Sequence, residues 1–293
     1  MSFVISTDTS ANLPTTELQW HQLYLLPFSY IVNEVEHQCL DLSAFDGDAY
    51  YEMLRHTPAS TSMISMDQYR QLWEPLLEEG HDILHVGMSS GISGAYQSAV
   101  MAARELREEY PQRRLVVFDT RAASLGEGIQ VLHAATCREA GYTLDETVRE
   151  LAELRPRIRQ IFTVDDLMHL RRGGRVSGVA AAVGTALRIK PLLKGDEAGR
   201  IVVFGKVQGR KRSVRALADN FAANAELLGR WPIGIAHAGC RDEALALAAM
   251  LKEYDPKARI ILVDYEPVTG SHVGPGALAM FYVAKEPWSS AIC

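Results

Sequence analysis

Apolar and polar positions follow two rhythms along this chain. Short, mostly apolar runs recur at Phe3-Val4-Ile5, Leu23 to Val32, Ile83 to Val86, Leu115 to Phe118, Gln160 to Val164, Ile233 to His237 and Arg259 to Val263. Runs of this length, apolar on both faces, predict strands buried between layers. Between them lie segments with helical periodicity: Phe45 to Leu54, Met66 to Glu79, Ala99 to Glu109, Ser124 to about Ala140, Leu144 to Arg157, Arg210 to about Leu228 and Arg241 to Tyr254. Thr143 with Glu146 fits a capping box at the start of one of them. Strands alternating with helices predict an α/β protein with a mostly parallel sheet. Ile189 to Leu193 and Arg200 to Val207 read instead as a hairpin turning through Gly195 to Gly199. Asp165 to Leu170 reads as one or two helical turns, and small apolar Ala180 to Leu187 suits close helix packing.

The chain of 293 residues is long enough for about two domains, and Arg155-Pro156-Arg157 is the expected junction. We place the N-terminal domain at 1–158 and the C-terminal domain at 159–293. Hydrophobic residues make up 47% and charged residues 23%, an ordinary globular balance. A net charge of −6 argues against a nucleic-acid binder. Cys39, Cys137, Cys240 and Cys293 form neither a CxxC pair nor a zinc spacing, so reduced thiols in a cytoplasmic protein are expected. The N-terminus lacks a signal-peptide pattern. The most apolar stretch, Val176 to Leu187, is too short to span a membrane.

The segment Gly87 to Ser98 carries the most suggestive chemistry. Three glycines and the serines Ser89, Ser90 and Ser93 separate a predicted strand from a predicted helix. A small-residue loop feeding a helix N-terminus can receive an anion; it can equally be a plain turn capped by Ser93. Asp8, at the end of the first strand, lacks the second acid two positions on that aspartyl-phosphate enzymes carry, and reads as a loop organiser. Thr61 and Ser62 lie in a hydroxyl-rich segment, Ala59 to Ser65, read as a loop. Arg171-Arg172-Gly173-Gly174-Arg175 is the densest cationic spot, either a solvated turn or a grip on a carboxylate or phosphate. Lys206, Arg210, Lys211, Arg212 and Arg215 gather at a helix start, where positive charge opposes the helix dipole, as a partner-binding cluster would accept. Val268 to Leu278 reads as a glycine-rich loop around His272.

Thr7-Asp8-Thr9-Ser10-Ala11, Thr61-Ser62, Ser89 to Tyr96, Gly173-Gly174-Arg175, Ile189-Lys190-Pro191, Lys206 with Arg210-Lys211, and His272 to Gly276 occur in the order seen in the DegV family. The chain resembles that family over nearly its whole length. The family includes the fatty-acid-binding subunits of bacterial fatty acid kinase. Three motifs depart from its pattern: Met63-Ile64 replaces Gln-Pro after Thr61-Ser62, Ala95 replaces Thr after Ser93-Gly94, and Val273 replaces Thr after His272.

The resemblance implies two α/β domains, the second with a mixed or antiparallel sheet, enclosing a long-chain fatty acid between them. It implies that Thr61, Ser62, Ser93, Gly94 and His272 hold the carboxylate. Arg175 is then the candidate to neutralise an added phosphate, and Lys206, Arg210, Lys211 and Arg212 the candidates to meet phosphate or a partner. The implied partners are the catalytic subunit of a fatty acid kinase and an acyltransferase, with only transient membrane contact. No cofactor or metal is expected, and no Gly-x-x-x-x-Gly-Lys-Ser/Thr loop is present for nucleotide. Two other readings stand beside this one. A serine hydrolase would use Ser93, His272 and Asp8, although Gly91-Ile92-Ser93-Gly94-Ala95 departs from the nucleophile elbow. A regulatory module would keep the lipid only as a structural filler.

Overall fold

The computed structural model describes residues 3–176, 189–227 and 229–288. The chain opens with β1 (Val4–Asp8), a short 3-10 turn (Thr9–Ala11) and α1 (Thr15–Trp20). It continues through β2 (Tyr24–Leu26), β3 (Ser29–Val32), β4 (Val35–Gln38), α2 (Gly47–Leu54), β5 (Ala59–Ser62), α3 (Met66–Glu78), β6 (Ile83–Gly87), α4 (Ala95–Glu109), β7 (Leu115–Asp119), α5 (Leu125–Glu139) and α6 (Leu144–Leu154). Then come β8 (Ile158–Thr163), α7 (Met168–Arg172), β9 (Ile189–Gly195), β10 (Ile201–Gln208), α8 (Arg210–Asn224), β11 (Ile233–His237), α9 (Arg241–Tyr254), β12 (Ile260–Asp264), α10 (Pro267–Val273) and β13 (Leu278–Val283).

Three sheets result. The first is fully parallel, ordered β2-β1-β6-β7. The second is mixed, ordered β10-β9-β8-β13-β11-β12, with β11 and β12 as its parallel pair. The third is a small antiparallel sheet, β4-β3-β5. Side chains on a strand alternate between faces, and the packing follows that period. On β13, Ala279, Phe281 and Val283 face the inner core with α5, while Leu278, Met280 and Tyr282 face α8 and α9. Helices α3 and α4 cover the outer face of the parallel sheet through residues such as Trp73, Leu77, Ala99 and Leu106. Helix α5 lies between the two large sheets and is buried on nearly every side. Its glycines permit this: a Cβ at Gly128 would stand 2.6 Å from the Ala11 carbonyl oxygen. The layers therefore run helix, sheet, helix, sheet, helix.

Three readings of the sequence are corrected. Leu23 to Val32 is not one strand. It breaks around Pro27, and its halves enter different sheets, with the Phe28 N–H donating to Thr9 Oγ1 at 3.0 Å. The hydroxyl-rich segment is not a loop, because Ala59 to Ser62 forms β5 against β3. The glycine-rich segment around His272 is helical through Val273. Ala180 to Leu187 lies outside the described residues, and so does Cys293. Cys39, Cys137 and Cys240 are free thiols, and no described helix is long and apolar enough to cross a membrane.

Candidate functional site

The loops at the C-terminal ends of parallel strands are where open α/β sheets receive ligands. Here those loops are Thr9 to Asn12, Met88 to Gly94 and Thr120 to Ser124. The first is structural. Asp8 accepts from the backbone N–H groups of Ser10 (2.9 Å) and Met88 (3.1 Å). Ser10 Oγ lies 2.6 Å from carboxylate oxygens of both Asp8 and Glu127. A hydroxyl has one hydrogen, so it cannot donate to both, and burial raises the pKa of both acids. One proton shared by this pair satisfies the geometry. Asn12, held left-handed at φ 56°, accepts from the Glu266 N–H and donates to the Asp264 carbonyl. The motif thus fixes the first loop to the start of α10.

The second loop divides its serines by task. Ser89 Oγ donates to the Gly199 carbonyl at 2.8 Å and pins the β9–β10 turn. Ser90 bonds Asp119 through its N–H and hydroxyl. Ser93 alone of the three faces a cavity. That cavity holds about 1030 Å³ of empty space when the open solvent at its mouth is counted. Apolar side chains dominate its wall, among them Phe28, Met88, Phe162, Val268 and Phe281. Thr61, Ser62, Ser93, Gly94, Arg175 and His272 also line it.

These polar residues converge through a ring of contacts. Thr61 Oγ1, at the edge of the small sheet, lies 2.9 Å from His272 Nε2 on the last turn of α10. Gly173 packs against the other face of that imidazole, where a Cβ would collide with Nδ1. Gly174 then turns the chain at φ 69°, which L side chains rarely adopt, and Arg175 donates from Nε to the Ile92 carbonyl at 3.3 Å. Gly94 closes the ring against Met63, which follows Ser62. Gly94 precedes α4 without a side-chain cap bond of its own; the first helical N–H, that of Ala95, donates to Ser93 Oγ at 3.2 Å.

Electrostatics favours an anion here. Arg175 is half-buried, and its other bond goes to the Gly173 carbonyl. Among the described residues no carboxylate pairs with it, and burial lowers its pKa. Burial, with the nearby Arg175 charge, pushes His272 down to about 4, so the imidazole is neutral at physiological pH. Glu266, fully buried, caps α10 by accepting from the Val268 and Thr269 N–H groups; burial pushes it up to about 7. Glu127 and Glu266 were not singled out in the sequence. For Glu266, the Glu-Pro pair ahead of a short segment was the available signal.

Lys206, Arg210, Lys211 and Arg212 do not line the cavity. Lys206, Lys211 and Arg212 are exposed. Arg210 is not a free docking charge: it pairs with Glu243 of α9 at 2.5 Å and lies 3.7 Å from Asp165. The hydrolase arrangement is not assembled either. His272 meets Thr61, Asp8 is occupied by Ser10 and Met88, and Ser93 Oγ accepts from the Ala95 N–H at 3.2 Å.

Fold and site together define a layered α/β protein that encloses an apolar cavity with a polar, cationic mouth. The profile of the DegV family, described as a family of uncharacterised proteins, matches residues 2–285, and the chain belongs to that family. A DegV domain-containing protein of Clostridium perfringens is 36% identical over 289 residues, covering 97% of this chain and 99% of the relative. The crystal structure of a fatty acid binding DegV family protein from Streptococcus agalactiae is similar at 30% identity and a TM-score of 0.84, covering 98% of this chain and 100% of that one. DegV of Bacillus subtilis, a fatty acid binding protein, is similar at 28% identity and a TM-score of 0.82, covering 97% and 100%.

Proposed function

We propose that this protein binds a long-chain fatty acid and presents its carboxylate to the catalytic subunit of a separate kinase, which forms the acyl phosphate. One observation carries the reading. A mostly apolar cavity gathers the hydroxyl residues Thr61, Ser62 and Ser93, a neutral imidazole and a guanidinium that pairs with no carboxylate among the described residues. An ionised carboxylate buried without partners is prohibitively costly, and the hydroxyls and the imidazole supply partners, with Arg175 left for an added phosphate. Roughly fourteen buried methylenes at about 0.8 kcal/mol each give a gross transfer term near 11 kcal/mol. A membrane offers the tail much the same term, so the head-group bonds and the cavity shape decide retention. The fatty-acid-binding relatives of Streptococcus agalactiae and Bacillus subtilis support the fatty-acid part of this reading.

The chain acts in this reading as a carrier without its own catalysis or cofactor, and works in the cytoplasm where the phosphoryl donor is. Arg175 faces the charge added when the carboxylate gains a phosphoryl group. Exposed Lys206, Lys211 and Arg212 are available to dock the kinase or an acidic acyltransferase, with brief membrane contact for lipid exchange. Native mass spectrometry of the purified protein tests the first step. A mass excess matching a long-chain acid is expected; its absence, with no displacement of a fluorescent fatty acid by unlabelled acid, overturns the proposal. Acyl-phosphate formation by a kinase subunit, lost in Arg175→Ala while the acid stays bound, tests the second.

A further inference from the structure

Two surface grooves abut the cavity, and they share no residue. One is polar and meets the cavity at Thr61, Arg175 and His272. The other, bounded by Thr120, Arg121, Arg155 and Trp288, meets it at Gln160 and Gly195. At that second boundary Gln160 is the one side chain shared by the linings of cavity and groove, since Gly195 has none. Gln160 stands on the inner face of β8, on the same side as Phe162, which also lines the cavity. Its amide is held at both ends by the loop after β7: Oε1 accepts from the Ala123 N–H at 2.9 Å, and Nε2 donates to the Arg121 carbonyl at 3.2 Å. Two glycines make room for it. A Cβ on Gly126 of α5 would come within 2.9 Å of Gln160 Cγ, and one on Gly195 of β9 within 2.6 Å of Nε2.

We propose that Gln160 is the end-stop of the acyl cavity and sets the longest chain the protein accepts. The inference rests on the fatty-acid reading above and adds to it a specificity-determining residue. An amide in an apolar wall is costly unless both its polar ends are bonded. Here both are bonded to backbone of the loop after β7, so neither needs a partner from the tail, which is left to pack on the hydrocarbon stem. Helix α5, the β7 loop and β9 thereby close on one polar plug that no tail methylene can displace cheaply. Shortening the plug joins the cavity to the outer groove and lets a longer tail pass.

The test is a competition ladder of saturated fatty acids of increasing length against a fluorescent acid. It is run on the wild type, Gln160→Ala, Gln160→Val and Gln160→Met. In Gln160→Ala the longest acid bound at wild-type affinity should lengthen by about two carbons or more, the space of the removed side chain. Gln160→Val, which suits a strand, should show a smaller shift in the same direction and serves if the alanine variant does not fold. Gln160→Met keeps the bulk without the amide and should retain the wild-type limit. An unchanged limit in both shortened variants overturns the end-stop, as does a shift in Gln160→Met as large as in Gln160→Ala. A wild type that binds no acid on the ladder refutes the fatty-acid reading itself, which keeps the two failures apart.

Discussion

At the scale of single residues, the tautomer of His272 decides what Thr61 can do. The imidazole is neutral, so Nε2 either donates to Thr61 Oγ1 or accepts from it. A carboxylate ligand selects the first arrangement: with Nε2–H donating to Thr61, the threonine hydrogen is free to donate to the ligand. Thr61→Val keeps the shape, removes that donor and strands the imidazole N–H. A hydrogen bond to a charged group is worth about 1.5–3 kcal/mol, so fatty-acid affinity should fall about 10-fold or more in competition binding. An unchanged affinity would remove Thr61 from the site. The adjacent glycines part in the same experiment. Gly173 has an ordinary φ of −72°, yet a Cβ there strikes His272, so Gly173→Ala should weaken binding. Gly174, at φ 69° with nothing among the described residues near a Cβ, should cost stability of about 1–2 kcal/mol on Gly174→Ala and leave binding nearly intact. Equal binding in the two variants would mean that Gly173 does not position the imidazole.

At the scale of elements, legibility depended on whether a segment carried its own signal. The apolar runs at Ile83, Leu115 and Ile233 and the Thr143–Glu146 box announce themselves, and both halves of that box form. β5 does not announce itself, since Ala-Ser-Thr-Ser has no apolar alternation and becomes a strand only through pairing with β3. Helix α10 is built from Thr, Gly, Ser and Val, poor helix formers, and is held by its buried cap and by packing around Tyr51. That cap has a pH consequence. Glu266 keeps its proton to about pH 7 when folded, against an ordinary value of 4.5, so the native state binds more protons between those values. Its contribution is whole below the unfolded pKa and lost as pH rises through 7. His272 works oppositely: depressed to about 4, it lends stability above its ordinary 6.5 that is lost as pH falls through 4. The wild-type curve mixes both trends, so the variant isolates one. Urea unfolding at about pH 5 and about pH 8 should show Glu266→Gln gaining stability relative to wild type at the higher pH. A constant difference would mean that Glu266 is ionised throughout.

At the scale of the whole molecule, strand–helix alternation was enough to read the α/β class. The cavity was not legible, because its wall is drawn from segments far apart in sequence: Phe28, Thr61, Ser93, Gln160, Arg175 and His272. No spacing brings these together; the family motifs pointed to most of the polar ones and, apart from Ile92 and Val273, to none of the apolar wall. This dispersal has a thermodynamic corollary. A ligand that touches the small sheet, the mixed sheet, the loops after the parallel strands and α10 binds the native state and has no site on the unfolded chain, so its binding free energy adds to folding stability. At a free ligand concentration about 100 times Kd the gain is about 2.7 kcal/mol, which for a chain of this size is a rise in Tm on the order of 5 °C. Delipidated protein should therefore melt lower than protein as purified, and adding back a long-chain acid should restore the difference. Ser93→Ala should shrink the ligand-dependent rise more than it shifts the delipidated Tm, because Ser93 lines the cavity and, among the described residues, its hydroxyl bonds only the nearby Ala95 N–H. A ligand-independent Tm would mean that the tail does not occupy the space between the sheets.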